Sequence, residues 1–164
     1  MATITLKGNE IHTAGSVPAV GHDAPLFTLT KTDLSTLSLS ELKGKKVILN
    51  ITPSIDTGIC ASSVRKFNVE ATNNDVVMVY ISKDLPFAHK RFCEAEGIEN
   101  VITLADYKDS NFADAYNTLI LDGGMAGLHS RVVIVIDEEG KVVYTEQVPE
   151  IAQEPDYDKA LAAL

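Results

Sequence analysis

Two apolar runs constrain the fold of this chain more than anything else in it. Lys46 to Thr52 reads KVILNIT and Asp75 to Ser82 reads DVVMVYIS. Such continuous, mainly apolar runs are the pattern of strands covered on both faces. Between them, from Gly58 to about Thr72, Ile59, Val64, Phe67 and Ala71 recur at helical spacing, with Arg65, Lys66 and Glu70 off that stripe. Strand, helix and strand in that order close with a right-handed crossover, which sets the two strands side by side in parallel.

The remaining segments add strands and helices around that unit. Thr3–Leu6 and Ile11–Thr13 alternate about Lys7-Gly8-Asn9-Glu10, an N-terminal hairpin. Phe27–Thr30 and Thr36–Leu39 alternate again, and Ser40–Gly44 reads as one helical turn stopped by glycine. Leu85–Glu96 is a second helix closed by Gly97; Val101–Leu104 is a short strand and Asn111–Tyr116 a short helix. A glycine-rich loop, Leu121–Ser130, leads to strands at Arg131–Ile136 and Val142–Glu146 around Asp137–Lys141. Pro155–Leu164 fits a terminal helix with proline near its start. Without repeats, low-complexity tracts or a linker, residues 1–164 read as one domain. The fold class expected is α/β of thioredoxin-like type: a mixed central sheet flanked by helices, preceded by the hairpin. That fold hosts many functions and cannot decide the chemistry.

Charge narrows the partners. Asp+Glu number 23 against Lys+Arg 14, a net charge of -9, which disfavours phosphate backbones and anionic lipid heads. No apolar run approaches the length that spans a bilayer, and no secretory signal opens the chain, so the expected location is cytoplasmic. In a reducing compartment a static disulfide is unusual, so the two cysteines are either inert buried thiols or redox-active.

The neighbours of Cys60 favour the second reading. Pro53-Ser54-Ile55-Asp56-Thr57-Gly58-Ile59-Cys60 follows the first buried strand and opens the helix. A thiolate, not a thiol, is the reactive nucleophile, and the first turn of a helix favours an anion. Pro-x-x-x-Thr-x-x-Cys in that setting resembles the peroxiredoxin active-site signature. Ser63–Phe67, Asp84–Ala88, Arg91-Phe92-Cys93 and Glu154–Tyr157 resemble the bacterial thiol peroxidase branch, and the similarity runs along nearly the whole chain.

The resemblance implies an enzyme that reduces hydrogen peroxide and organic hydroperoxides, and it implies roles for particular residues. Cys60 is the peroxidatic nucleophile. Thr57, the Cys60 backbone N–H and Arg131 orient the peroxide and stabilise the departing oxygen, while Pro53 rigidifies and shields the turn. The resulting sulfenic acid condenses with Cys93, the resolving thiol, and a thioredoxin-like protein reduces the disulfide. Two cysteines on separate formed helices can lie beyond the roughly 7 Å between Cα atoms that a disulfide tolerates, so local unwinding is expected during the cycle. No haem, flavin or metal is called for, and the family implies a homodimer. Thr52, where family members often carry an aromatic residue, departs from the pattern.

Each piece also has a plainer reading. Thr57 alone could be a helix cap, Arg131 a surface charge, and Cys93 a buried thiol. His12, His22, His89 and His129 show no metal-ligand spacing and read as surface or packing residues. Gly123–Gly127 is no nucleotide fingerprint, and Cys-x-x-Cys is absent. A redox relay passing oxidation to a client, and a binding module with inert cysteines, remain open as other functions.

Overall fold

The computed structural model describes residues 1–164. The hairpin forms first, as β1 (Ala2–Leu6) and β2 (Asn9–Thr13), paired antiparallel with Leu6 opposite Asn9. Lys7 and Gly8 make its two-residue turn with φ of 51° and 80°. Positive φ at both central residues gives the turn whose twist matches that of the strands, and glycine supplies one of the two at no steric cost.

The main sheet has seven strands: β3 (Thr28–Thr30), β4 (Thr36–Ser38), β5 (Val47–Ile51), β6 (Val77–Ser82), β7 (Val101–Ala105), β8 (Val132–Ile136) and β9 (Val142–Gln147). Their spatial order is β4-β3-β7-β6-β5-β8-β9. The strands β5, β6 and β7 are parallel neighbours, as the strand-helix-strand pattern requires, and β8 returns antiparallel beside β5. Leu39 departs from the expectation. It leaves the strand for a 3-10 turn over Leu39–Leu42, and its side chain is buried in the core. The aliphatic alternation does not register such a switch.

The helices are α1 (Gly58–Asn73), α2 (Pro86–Glu96), α3 (Asn111–Tyr116) and α4 (Tyr157–Ala162). Pro155 lies just outside α4, whose cap is Asp156, accepting the Lys159 N–H at 3.1 Å. Side-chain alternation then divides the core in two. On one face Ile48, Met78, Val133 and Val135 pack against Phe67 of α1 and Ala160 of α4. Tyr80, on that same face, packs with Ala61 and Val64 of α1 and Phe92 of α2. On the other face Leu49, Ile51, Val79, Ile81, Leu104 and Ile134 meet Phe112 and Tyr116 of α3. The central strands are therefore apolar on both sides because both sides are covered. No helix is long and apolar enough to cross a membrane.

Candidate active site

Cys60 sits in the first turn of α1, directly above the C-terminal end of β5, and is fully buried. Thr57 is the helix cap: its Oγ1 accepts the Cys60 N–H at 3.3 Å. The Thr57 hydroxyl itself donates to the Ser54 carbonyl at 3.2 Å. The capping reading of Thr57 and its place beside the cysteine thus hold together. To serve a peroxide, the hydroxyl has to rotate away from Ser54. Beneath the turn, Ser63 Oγ donates to the Cys60 carbonyl at 2.7 Å and accepts from Asn50 Nδ2 of β5 at 2.9 Å. A buried polar chain so ties the turn to the sheet, where a satisfied bond is worth far more than an orphaned group.

Arg131 reaches the same sulfur from β8. Because β8 runs antiparallel to β5, with Val132 opposite Ile51, the residue before β8 lies where β5 hands over to α1. Arg131 is 3% exposed, and its Nη1 donates to Cys60 Sγ at 3.4 Å. Its Nε donates to the Ile151 carbonyl at 3.0 Å, which fixes the plane of the fork. A guanidinium donating from two edges is geometrically fixed in a way an ammonium is not. Pro53 is buried in the turn. Thr52 is buried as well and pairs its hydroxyl with the Tyr80 hydroxyl at 2.5 Å. That pairing explains how a polar side chain is accommodated at this position.

Cys93 is brought near this region but not to the sulfur. It lies in α2, half-buried, and burial pushes its thiol up, opposed by a hydrogen bond with Thr103 of β7. It lines a cleft of about 350 Å³ with Lys31, Lys90 and Thr103. Both cysteines are free. In the sheet order β6 lies between β5, whose end leads to Cys60, and β7, beside which α2 carries Cys93.

Sequence reasoning missed the polar groups around this centre. Asp84, just after β6, accepts from Ser54 Oγ at 2.8 Å, from the Ile55 N–H at 2.7 Å and from Ser82 Oγ at 2.6 Å. Since the single Ser82 proton goes to Asp84, His89 Nε2, at 2.8 Å from Ser82 Oγ, is the donor in that contact. His89 is fully buried, and burial lowers its pKa to about 4, so it is neutral. The Ser82 proton therefore points away from the imidazole, and the group is no hydrolytic triad. His129 is the second buried imidazole, between Asp106 and Thr118 at 2.8 Å each, with Lys83 3.2 Å from Asp106. No spacing in the sequence signals these groups: Ser82, Asp84 and His89 are near in sequence but form no recognisable motif, and Ser54 and Asp106 come from other elements.

The hairpin enters through Glu150. Its carboxylate accepts from Thr5 Oγ1 and from the Lys7, Gly8 and Ala152 N–H groups, which hold its pKa down to about 2. The folded carboxylate stays ionised below the ordinary carboxylate range, where an unfolded chain takes up a proton. This contribution is therefore full above that range and is lost as pH falls through about 2. Amide exchange at Lys7 and Gly8 is expected to accelerate across that window, and in Glu150→Gln to be fast already at neutral pH. Equal exchange in both proteins at neutral pH would remove the clamp.

Known proteins resemble this chain along nearly its whole length. The Redoxin family model matches residues 19–161. A thiol peroxidase of Mycobacterium tuberculosis and one of Mycobacterium bovis are each 55% identical over 164 residues, covering 100% of this chain and 99% of theirs. A peroxiredoxin-like protein of Aquifex aeolicus superposes with a TM-score of 0.91 at 36% identity, over 99% of this chain and 97% of its own. A thiol peroxidase of Chromobacterium violaceum shares the fold, with a TM-score of 0.88 at 18% identity, over 98% of this chain and 93% of its own.

Proposed function

The chain belongs to the Redoxin family and is a thiol-dependent peroxidase, and on that premise we propose that Cys60 is its peroxidatic nucleophile and Cys93 its resolving thiol. The observation that carries this is the Arg131 Nη1 contact at 3.4 Å from Cys60 Sγ at a capped helix N-terminus. A buried guanidinium has no reason to face a small apolar thiol, whereas its N–H bond to an anionic sulfur is charge-assisted.

The cycle has three steps. The Cys60 thiolate attacks the terminal oxygen of a hydroperoxide; the S–O bond forms, the O–O bond breaks, and the alcohol or water leaves with a proton. Arg131 and the Thr57 hydroxyl, turned from Ser54, donate to the oxygen on which charge develops. The Cys93 sulfur then displaces hydroxide from the Cys60 sulfenic acid, forming the disulfide, and the Cys93 proton leaves with that hydroxide as water. Finally a thioredoxin-type dithiol reduces the disulfide by exchange.

The test is Cys93→Ser. It is expected to consume one equivalent of cumene hydroperoxide at the wild-type rate and then stall with a thioredoxin system. Sustained wild-type turnover in that variant would take Cys93 out of the cycle. A homodimer belongs to the same reading: Leu85 and Phe87, 51% and 64% exposed at the start of α2, are the apolar surface a second copy would cover. A monomer mass in sedimentation velocity would remove that part.

A further inference from the structure

Asp84 joins the two segments that have to move. Through Ser54 Oγ and the Ile55 N–H it holds the loop whose Ser54 carbonyl accepts both the Thr57 N–H and the Thr57 hydroxyl. Thr57 in turn caps the turn that carries Cys60. On its other side, Ser82 links Asp84 to His89, one helical turn before Cys93 in α2. Two further ties between these segments, Asp56 to Arg91 and Arg65 to Glu96, lie on the exposed surface. Of these ties only the Asp84 group reaches a fully buried side chain, His89, and it is the one that holds the loop leading to the Thr57 cap.

We propose that Asp84 is a positioning residue that keeps the Cys60 turn wound and thereby sets how long the Cys60 sulfenic acid persists before Cys93 reaches it, a reading that rests on the two-cysteine cycle above. Peroxide attack uses the wound form, in which Arg131 and the Thr57 cap meet the sulfur. Disulfide formation uses a form in which the turn, the Cys93 segment or both have left their places, since both thiols are free where these segments now stand. As long as the wound form predominates, loosening it leaves attack almost unchanged and raises the rate of resolution in proportion to the minor population. The waiting sulfenic acid has a competing fate: a second hydroperoxide can transfer an oxygen to it, giving sulfinic acid and an alcohol or water. Asp84 thus governs the partition between disulfide and sulfinic acid.

Rapid quench with mass spectrometry separates the two steps. In Asp84→Asn, disulfide formation is expected to be about tenfold faster, the equivalent of one charge-assisted hydrogen bond. Half-conversion to sulfinic acid should then need about tenfold more peroxide, while the attack rate stays within about twofold. Ser54→Ala, which removes one donor only, should move both quantities in the same direction by less. Asp56→Asn, at the exposed pair in the same loop, should move neither. A lower melting temperature in Asp84→Asn and Ser54→Ala with resolution at the wild-type rate would reduce Asp84 to a structural role and overturn the proposal, with the cycle intact. Absence of a Cys60–Cys93 disulfide in the oxidised wild-type protein would sink the cycle and this proposal together.

Discussion

Cys60→Ser is expected to leave peroxide consumption at the buffer background while the protein stays folded. The two halves of that result have separate causes. Sulfur is the only atom in the buried turn with the nucleophilicity the first step needs; a serine hydroxyl at the same place is a poor nucleophile and forms no sulfenic acid. Cys60 is fully buried, yet Arg131 Nη1 lies 3.4 Å from its sulfur, so the smaller oxygen keeps a donor nearby. The buried polar group is therefore not orphaned, and the melting temperature should move little. The measurement is hydroperoxide consumption by purified variant with a thioredoxin system, beside a thermal melt. Turnover within tenfold of wild type in a folded Cys60→Ser would require another nucleophile. Cys93 would then have to be re-examined as the primary thiol.

Arg131→Met is expected to lower the rate constant for peroxide attack by about 10²–10³, the loss that follows removal of one pre-aligned donor to a developing oxyanion. Methionine fills similar space along the stem, so the effect is chiefly on chemistry. Some stability is also lost, because the Ile151 carbonyl no longer receives the Nε–H. Arg131→Lys separates charge from geometry. An ammonium restores the positive charge but cannot hold Ile151 and address Cys60 from one planar fork, so its rate should fall between the two. A lysine variant as fast as wild type would show that charge alone matters. A methionine variant within about threefold of wild type, far below the usual cost of such a donor, would remove Arg131 from the reaction.

The sequence carried the frame clearly, and it singled out Cys60 at the start of a helix. KVILNIT and DVVMVYIS appear in the structure as β5 and β6 in parallel register, because a central strand needs apolar residues on both faces and little else produces such runs. Cys60 could be placed in a first helical turn because Pro53 ends the strand and the apolar stripe begins at Ile59. Arg131 could not be placed by spacing. Its proximity to Cys60 depends on β8 lying beside β5 and not at the sheet edge, a choice of strand order that local pattern does not encode; only the family resemblance pointed to it. The Asp84 and His129 groups were illegible for a related reason. His129 finds Asp106 from 23 residues away, and Ser54 finds Asp84 from 30. Such partners meet through the sheet, and each residue alone looks like an ordinary polar side chain.

The Ile151 carbonyl that orients Arg131 belongs to a segment fastened to the opposite part of the chain. Thr5 donates its N–H to Pro149 and accepts that of Ile151, across about nine-tenths of the sequence. A ribosome therefore releases Cys60 long before it has made the carbonyl that aims the guanidinium. During synthesis the thiol exists as an ordinary cysteine on an unfinished sheet. On the reading proposed for Cys60 and Arg131, reactivity toward peroxide arrives only when the hydrogen-bonded segments at residues 5 and 149–151 complete the fold, which makes catalytic competence a late report on correct folding.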